Sequence, residues 1–197
     1  RTAITLLLVV STSITDAAEW KIDPTIRLKA GYDDNIRMNT DDKISSPVII
    51  FSPSALFSVE TPTSGSRGTL RVDVRRYTQE SNLNDENIRF LTNSFHKMER
   101  SRFGLDLDFI RDTTLDSQLE ETGVVLDRVK RRRFNVGPSW TWSFDERTDL
   151  AFGYTFSKVK YDDTGDSGFV DFDTNRFSTS LSRALSERAT TSVTLSH

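Results

Sequence analysis

The segment Trp20 to Tyr32 alternates without a break. Trp20, Ile22, Pro24, Ile26, Leu28, Ala30 and Tyr32 fall on one side; Lys21, Asp23, Thr25, Arg27, Lys29 and Gly31 fall on the other. A period of two is the signature of an extended strand, whose successive side chains point to opposite faces. Thirteen residues of it exceed an ordinary strand of about 5 to 6 residues and match a tilted membrane-crossing strand of roughly 9 to 11 plus its ends.

The pattern recurs along the chain. Phe51, Pro53, Ala55, Phe57 and Val59 alternate with serines and Leu56, and Leu70, Val72 and Val74 with Arg71, Asp73 and Arg75. Phe103, Leu105, Leu107 and Phe109 oppose Gly104, Asp106 and Asp108. Phe134, Val136, Pro138, Trp140, Trp142 and Phe144 are set against Arg133, Asn135, Gly137, Ser139, Thr141 and Ser143. Leu150 to Phe156, Phe177 to Leu181 and Thr191 to Leu195 follow the same rule. One dipeptide marks the short connections: Glu99-Arg100, Glu146-Arg147 and Glu187-Arg188, at spacings of 47 and 41 residues. A fixed period of this size indicates one iterated supersecondary unit, here a β-hairpin with a loop. The other connections, Asp33 to Ser46, Gln79 to Asn87, Thr114 to Arg128 and Asp162 to Asp173, are long and polar. Strict alternation of short and long predicts short turns at one rim and long loops at the other, the arrangement of an outer-membrane barrel.

Arg89 to Met98 has no clean apolar face. Pairing it with its neighbour so that Thr92, Ser94 and His96 oppose Asp108, Asp106 and Gly104 turns His96 inward and Leu91 and Phe95 outward. A one-residue slip would reverse every one of these assignments.

A soluble sandwich would alternate too. Strand length, an export signal and aromatics bracketing the strands argue for a membrane barrel instead. The bracketing set is Trp20, Tyr32, Phe51, Phe57, Phe103, Phe109, Phe134, Trp142 and Phe144, expected to form the two aromatic girdles at the membrane interfaces. The opposite face carries Arg27, Lys29, Arg71, Asp73, Arg75, Asp106, Asp108, Arg131 and Arg133, with His96 by the register above. Unpaired charges in a dry core would cost several kcal/mol each, whereas a hydrated lumen avoids that penalty. The fold class expected is therefore all-β: an antiparallel up-and-down transmembrane β-barrel of about nine strands.

Composition narrows the function. Lys and Arg number 26 against 29 Asp and Glu, a formal charge of −3, which supplies no general field for nucleic acid. Mean hydropathy is −0.46, and no apolar run approaches the roughly 18 residues of a membrane helix. The chain has no cysteine and two histidines, which excludes disulfides, thiolate metal sites and a cysteine nucleophile. Neither Asp162, Asp163 and Asp166 with Gly165 and Gly168, nor Asp33, Asp34 and Asn35, has the spacing of a calcium loop. No nucleotide-binding loop or hydrolase constellation is present, so no enzyme activity, cofactor or metal is expected.

Thr2 to Ile14 is apolar, follows Arg1 and precedes Asp16-Ala17-Ala18, a pattern that resembles a secretory leader with its small-residue cleavage site. We therefore expect residues 1–18 to be a partial leader and residues 19–197 a barrel domain. An odd strand count and an end inside a strand lead to the expectation that C-terminal strands are missing, since bacterial single-chain barrels use even numbers.

Three segments carry a family resemblance: Gly31-Tyr32-Asp33-Asp34-Asn35-Ile36; Arg111-Asp112-Thr113-Thr114-Leu115-Asp116-Ser117 with Glu120-Glu121-Thr122-Gly123; and Gly137-Pro138-Ser139-Trp140-Thr141-Trp142 leading into Glu146-Arg147-Thr148. In these the chain resembles the bacterial outer-membrane proteins called β-barrel porin family 2, whose members occur beside exopolysaccharide and exosortase loci. The resemblance implies a Gram-negative outer-membrane barrel associated with polysaccharide export or assembly. It also implies contact with outer-membrane lipid and lipopolysaccharide, insertion by the barrel assembly machinery, possible contact with polysaccharide, and no nucleic acid. It supplies no catalytic residue. Two further readings stand beside it: a plugged structural or adhesive barrel acting through loops such as Leu115 to Arg128, and a soluble secreted sheet protein. On the charged face, Arg71, Arg75, Arg131 and Arg133 could guide an anionic glycan. Because the inward charges are mixed in sign, pairing with Asp73, Asp106, Asp108 and Asp112 is the expectation we favour, with Asp112 opposite Arg131. Arg132 is expected to face outward at the long-loop rim, toward lipid headgroup phosphates.

Overall fold

The computed structural model describes residues 18–36, 43–114, 129–162 and 168–197. The expected leader (all but Ala18), the whole Leu115 to Arg128 loop region and Asp163 to Ser167 lie outside the described residues.

Nine strands follow from the alternating segments. They are β1 (Glu19–Asp33), β2 (Ser46–Glu60), β3 (Ser64–Tyr77), β4 (Asp85–Lys97), β5 (Ser101–Thr113), β6 (Lys130–Asp145), β7 (Thr148–Tyr161), β8 (Phe172–Ser186) and β9 (Ala189–Ser196). They form one antiparallel sheet in sequence order, an up-and-down meander. β1 and β9 are its edges, each paired on one side only. The sheet is open and barrel-like, and β1 to β8 run 13 to 16 residues, long enough to cross a bilayer at a tilt. No helix among the described residues is long and apolar enough to do so.

The expected parity of connections holds. The short turns join β2 to β3, β4 to β5, β6 to β7 and β8 to β9, and the long connections join the other pairs. Two of the repeated Glu-Arg turns close alike. The Arg147 N–H donates to Asp145 Oδ1 at 2.8 Å and the Arg188 N–H to Ser186 Oγ at 3.3 Å, each beside a register shift in its hairpin. The Arg147 N–H, first among several donors and cations, holds the Asp145 carboxyl below the usual carboxylate range. A short polar side chain just before the turn thus takes up a backbone donor that the ladder leaves over.

Register then sorts the side chains. Trp20 lies opposite Val59, Ile26 opposite Pro53 and Leu28 opposite Phe51, so the apolar side of β1 continues across β2. It runs on through Leu70, Phe90, Phe109, Phe134 and the even positions of β7 to Phe177 and Leu181 of β8 and Val193 and Leu195 of β9. Eight of the nine expected girdle residues fall on this face by register, and the ninth, Phe144, is the extra residue at the register shift before the β6–β7 turn. The strands extend beyond the expected ends on the long-loop side, so Phe51, Phe109 and Phe134 lie several residues inside β2, β5 and β6. Pro53 and Pro138 sit on the same face, each where the ladder skips two residue pairs, in keeping with the missing N–H.

The expected register of β4 is offset by one residue. The Glu99-Arg100 turn closes with the Met98 N–H donating to Ser101 O at 2.7 Å, which puts Lys97 opposite Arg102 and His96 opposite Phe103. Thr92 therefore meets Leu107 rather than Asp108. His96 is accordingly on the apolar face, 2.7 Å from Ser64 Oγ through Nδ1, and Leu91 and Phe95 are on the charged one. A turn with two central residues fixes this pairing.

The apolar face is exposed: Trp20, Ile26 and Leu195 keep more than 70 % of their surface. Aromatic rings tile part of it. Trp140 lies 6.1 Å from Phe103, 5.7 Å from Phe152 and 6.0 Å from Trp142, and Phe57 stacks on Phe90 at 6.1 Å. The buried apolar residues, Ile36, Tyr77, Ile110, Val129 and Val159, cluster elsewhere. Tyr77, Ile110 and Val159 are on the charged face near the long-loop rim.

Candidate functional site

The hollow of the molecule lies on the charged face. A cavity of about 600 Å³ is lined by side chains from β1 to β7, including Lys21 and Asp23 of β1, Asp106 and Asp108 of β5 and Thr155 of β7. Adjacent strands are about 4.8 Å apart, so β1 and β7 would be separated by roughly 29 Å in a flat sheet. A flat sheet has no hollow. Accumulated twist and coiling curl this one with its charges inside the curve and its apolar face outside.

Nine of the ten expected lumen residues line this concave side. Arg27 and Lys29 lie on the inner side of β1, Arg71, Asp73 and Arg75 of β3, Asp106 and Asp108 of β5, and Arg131 and Arg133 of β6. His96 is the exception, for the register reason given above.

Two of the four expected acids, Asp73 and Asp112, pair with arginines. Arg71 grips Asp73 with two bonds, Nε to Oδ2 at 2.8 Å and a terminal nitrogen to Oδ1 at 2.9 Å. Arg131 does the same to Asp112, at 3.0 and 2.8 Å, and the two sit opposite each other as expected. Their side chains are only 11 % and 12 % exposed, so this fork is largely desolvated. Bidentate guanidinium–carboxylate geometry satisfies both partners, the condition for burying them without a large penalty. Asp106 and Asp108 accept instead from amides, Asn93 Nδ2 at 2.6 Å and Asn135 Nδ2 at 3.1 Å. The Nε of Arg133 is buried without a hydrogen-bond partner among the described residues.

Sequence reasoning missed part of the wall. Arg89 lies directly opposite Arg71, and Asn93, Phe95 and Lys97 also line the concave side, because β4 carries them inward in its true register. Phe95 is flanked by the Lys97 ammonium at 5.2 Å and the Arg102 guanidinium at 4.7 Å, a cation–π arrangement. The signal was available in the Glu99-Arg100 dipeptide, whose two-residue turn dictates the pairing. Across β8 and β9 the inner side turns to hydroxyls, with Ser180 opposite Thr194 and a 3.0 Å bond between their side-chain oxygens.

Asp33 and Asn35 form a local turn, the Asn35 N–H donating to Asp33 Oδ1 at 3.2 Å. Among the described residues no cluster of three potential ligands gathers for a metal. No family model, curated protein or solved structure matches this chain.

Proposed function

We propose that this chain is the wall of a porin-like outer-membrane β-barrel of a Gram-negative bacterium, associated with export or assembly of exopolysaccharide. One observation carries the membrane reading: the apolar face is on the outside of the curve and the charged face on the inside. A water-soluble curved sheet does the reverse and buries its apolar side, because an exposed apolar patch beyond a few hundred Å² is an interaction surface. Lipid is the solvent that makes an outward apolar band favourable and lets a hydrated lumen hold the charges.

The polysaccharide arm rests on the family resemblance and on the chemistry of the concave side. Paired charges, amides and a hydroxyl strip offer many weak hydrogen bonds and no deep trap, which suits a passing glycan. A second reading, a plugged structural barrel, has its own support: Tyr77, Ile110 and Val159 are buried on the concave side at the long-loop end, where they would narrow a lumen.

Expression in a Gram-negative host, detergent extraction from outer membranes, electrophoresis with and without heating, and planar-bilayer recording test both. Heat-modifiable migration with discrete conductance is the expected result. Heat modifiability without conductance favours the plugged barrel, and a protein that never enters the membrane fraction overturns the membrane reading.

A further inference from the structure

The convex face is not apolar to its edges. At the long-loop end Arg111 lies directly opposite Arg132, and Arg132 directly opposite Lys160, three cations in one row across β5, β6 and β7. Like charges facing each other across a ladder destabilise it. Asp162 accepts from Arg132 at 2.5 Å, whereas Arg111 and Lys160 have no ion pair among the described residues. Lys130 and Lys158 flank the row on the same face, Lys158 with Asp173 of β8 directly opposite it. Beside it, Arg76, Asn84, Asp85, Glu86, Arg111 and Lys130 surround a polar recess of about 330 Å³, in which Glu86 is engaged by Arg76.

The row stands at a definite height. Arg132 is one same-face position beyond Phe134, a step of about 5–7 Å once strand tilt is allowed for. That is the depth of a headgroup layer, since the polar regions add roughly 5–8 Å to each side of the hydrocarbon core. The short-turn end of the same face carries no such tier: around Trp20, Ser64, Ser101, Trp142 and Leu150, its charged residues in the described sheet are Asp145 and Arg183, of opposite sign and both on the same face as Thr148, with His96 nearby. The two leaflets would thus meet differently charged belts.

Resting on the membrane reading above, we propose that Arg111, Lys130, Arg132, Lys158 and Lys160 form a docking belt for the phosphate groups of a phosphorylated glycolipid in the outer leaflet. A phosphate lying between opposed cations removes the like-charge repulsion and supplies acceptors for guanidinium forks. The belt lies on the outside of the barrel, so it would not take a solute from the lumen.

The test uses the intact chain refolded into phosphatidylcholine vesicles with brominated acyl chains, which quench Trp140 and Trp142 if the strands are inserted. Retention of fluorescent lipid A is then compared with that of its dephosphorylated form, for the wild type and for the Arg111→Gln, Arg132→Gln, Lys160→Gln triple variant. We expect quenching in both proteins, retention that requires phosphate, and a loss of about five-fold per cation removed, on the order of a hundred-fold for three. Quenching with equal retention of both lipids, or with a variant that retains as well as the wild type, overturns the docking belt and leaves the membrane reading intact. Displacement by equimolar inorganic phosphate overturns it as well, by making free phosphate the ligand. Absence of quenching in any vesicle overturns the membrane reading and the belt with it. Should the triple variant fail to insert, the Lys158→Gln, Lys160→Gln pair carries the same comparison, both side chains being exposed in the sheet.

Discussion

At the scale of single residues, size on the convex face is set by neighbours as much as by polarity. Gly68 lies opposite Phe57 and Thr92, and the Phe57 ring crosses the gap that its missing side chain leaves to stack on Phe90. A Cβ placed there would press on the Phe57 ring and stand 2.5 Å from the Leu91 carbonyl oxygen. Backbone cannot step aside as a side chain can. Gly68→Ala is therefore expected to destabilise the sheet by about 1–3 kcal/mol, read as a shift in urea unfolding from detergent micelles. Gly31→Ala is the matched comparison, because its Cβ would meet only Val48 Cγ1 at 4.0 Å. It should be neutral or gain up to about 1 kcal/mol from a less flexible unfolded chain. Equal losses at the two positions would show that the Phe57 bridge has no energetic role.

At the scale of the strand, alternation was enough to place most side chains, because a period of two leaves one binary choice per element. The choice was legible wherever one face was consistently apolar, as in β1 and β6. It was not legible in β4, where Phe90, Leu91 and Phe95 fall on both faces and the residue pattern carries no preference. There the turn decides, and reading Glu99-Arg100 as a two-residue loop would have put His96 with Phe103. The forks were only half legible. Asp112 with Arg131 follows from cross-strand position, whereas Arg71 with Asp73 is a same-face pair along one strand that no ladder predicts. The strand assignment itself can be broken at β6. Trp140 sits on the convex face between Phe103 and Phe152, so in a bilayer Trp140→Arg should cost roughly 2 to 4 kcal/mol. Thr141 is on the concave side opposite Arg102, so Thr141→Arg should lose less than about 1 kcal/mol to like-charge repulsion. Unfolding from phosphatidylcholine vesicles measures both, and comparable losses would contradict the assignment of faces.

At the scale of the whole molecule, the alternation of short and long connections becomes a statement about sides. Successive strands of a meander run in opposite directions, so every second connection returns to the same rim, whatever the curvature of the sheet. In a sealed membrane one rim is on each side. The absence of cysteine from the chain makes this directly measurable, since any thiol introduced is the only one. Lys43→Cys, in the connection between β1 and β2, and Ser81→Cys, in the 3-10 turn between β3 and β4, belong to the long-loop rim. Thr63→Cys, Glu99→Cys, Glu146→Cys and Glu187→Cys belong to the short-turn rim. A membrane-impermeant maleimide applied to intact cells is expected to label the first two variants and spare the other four. After the outer membrane is permeabilised, all six should react. Labelling that divides the six in any other way would be incompatible with nine strands crossing one bilayer in sequence order. Uniform labelling of all six on intact cells would mean that both rims face the same water, as in a sheet that never crosses lipid. The pattern needs only the order of strands, so it holds for an open pore and for a plugged one, and it tests the membrane reading without reference to any transported solute.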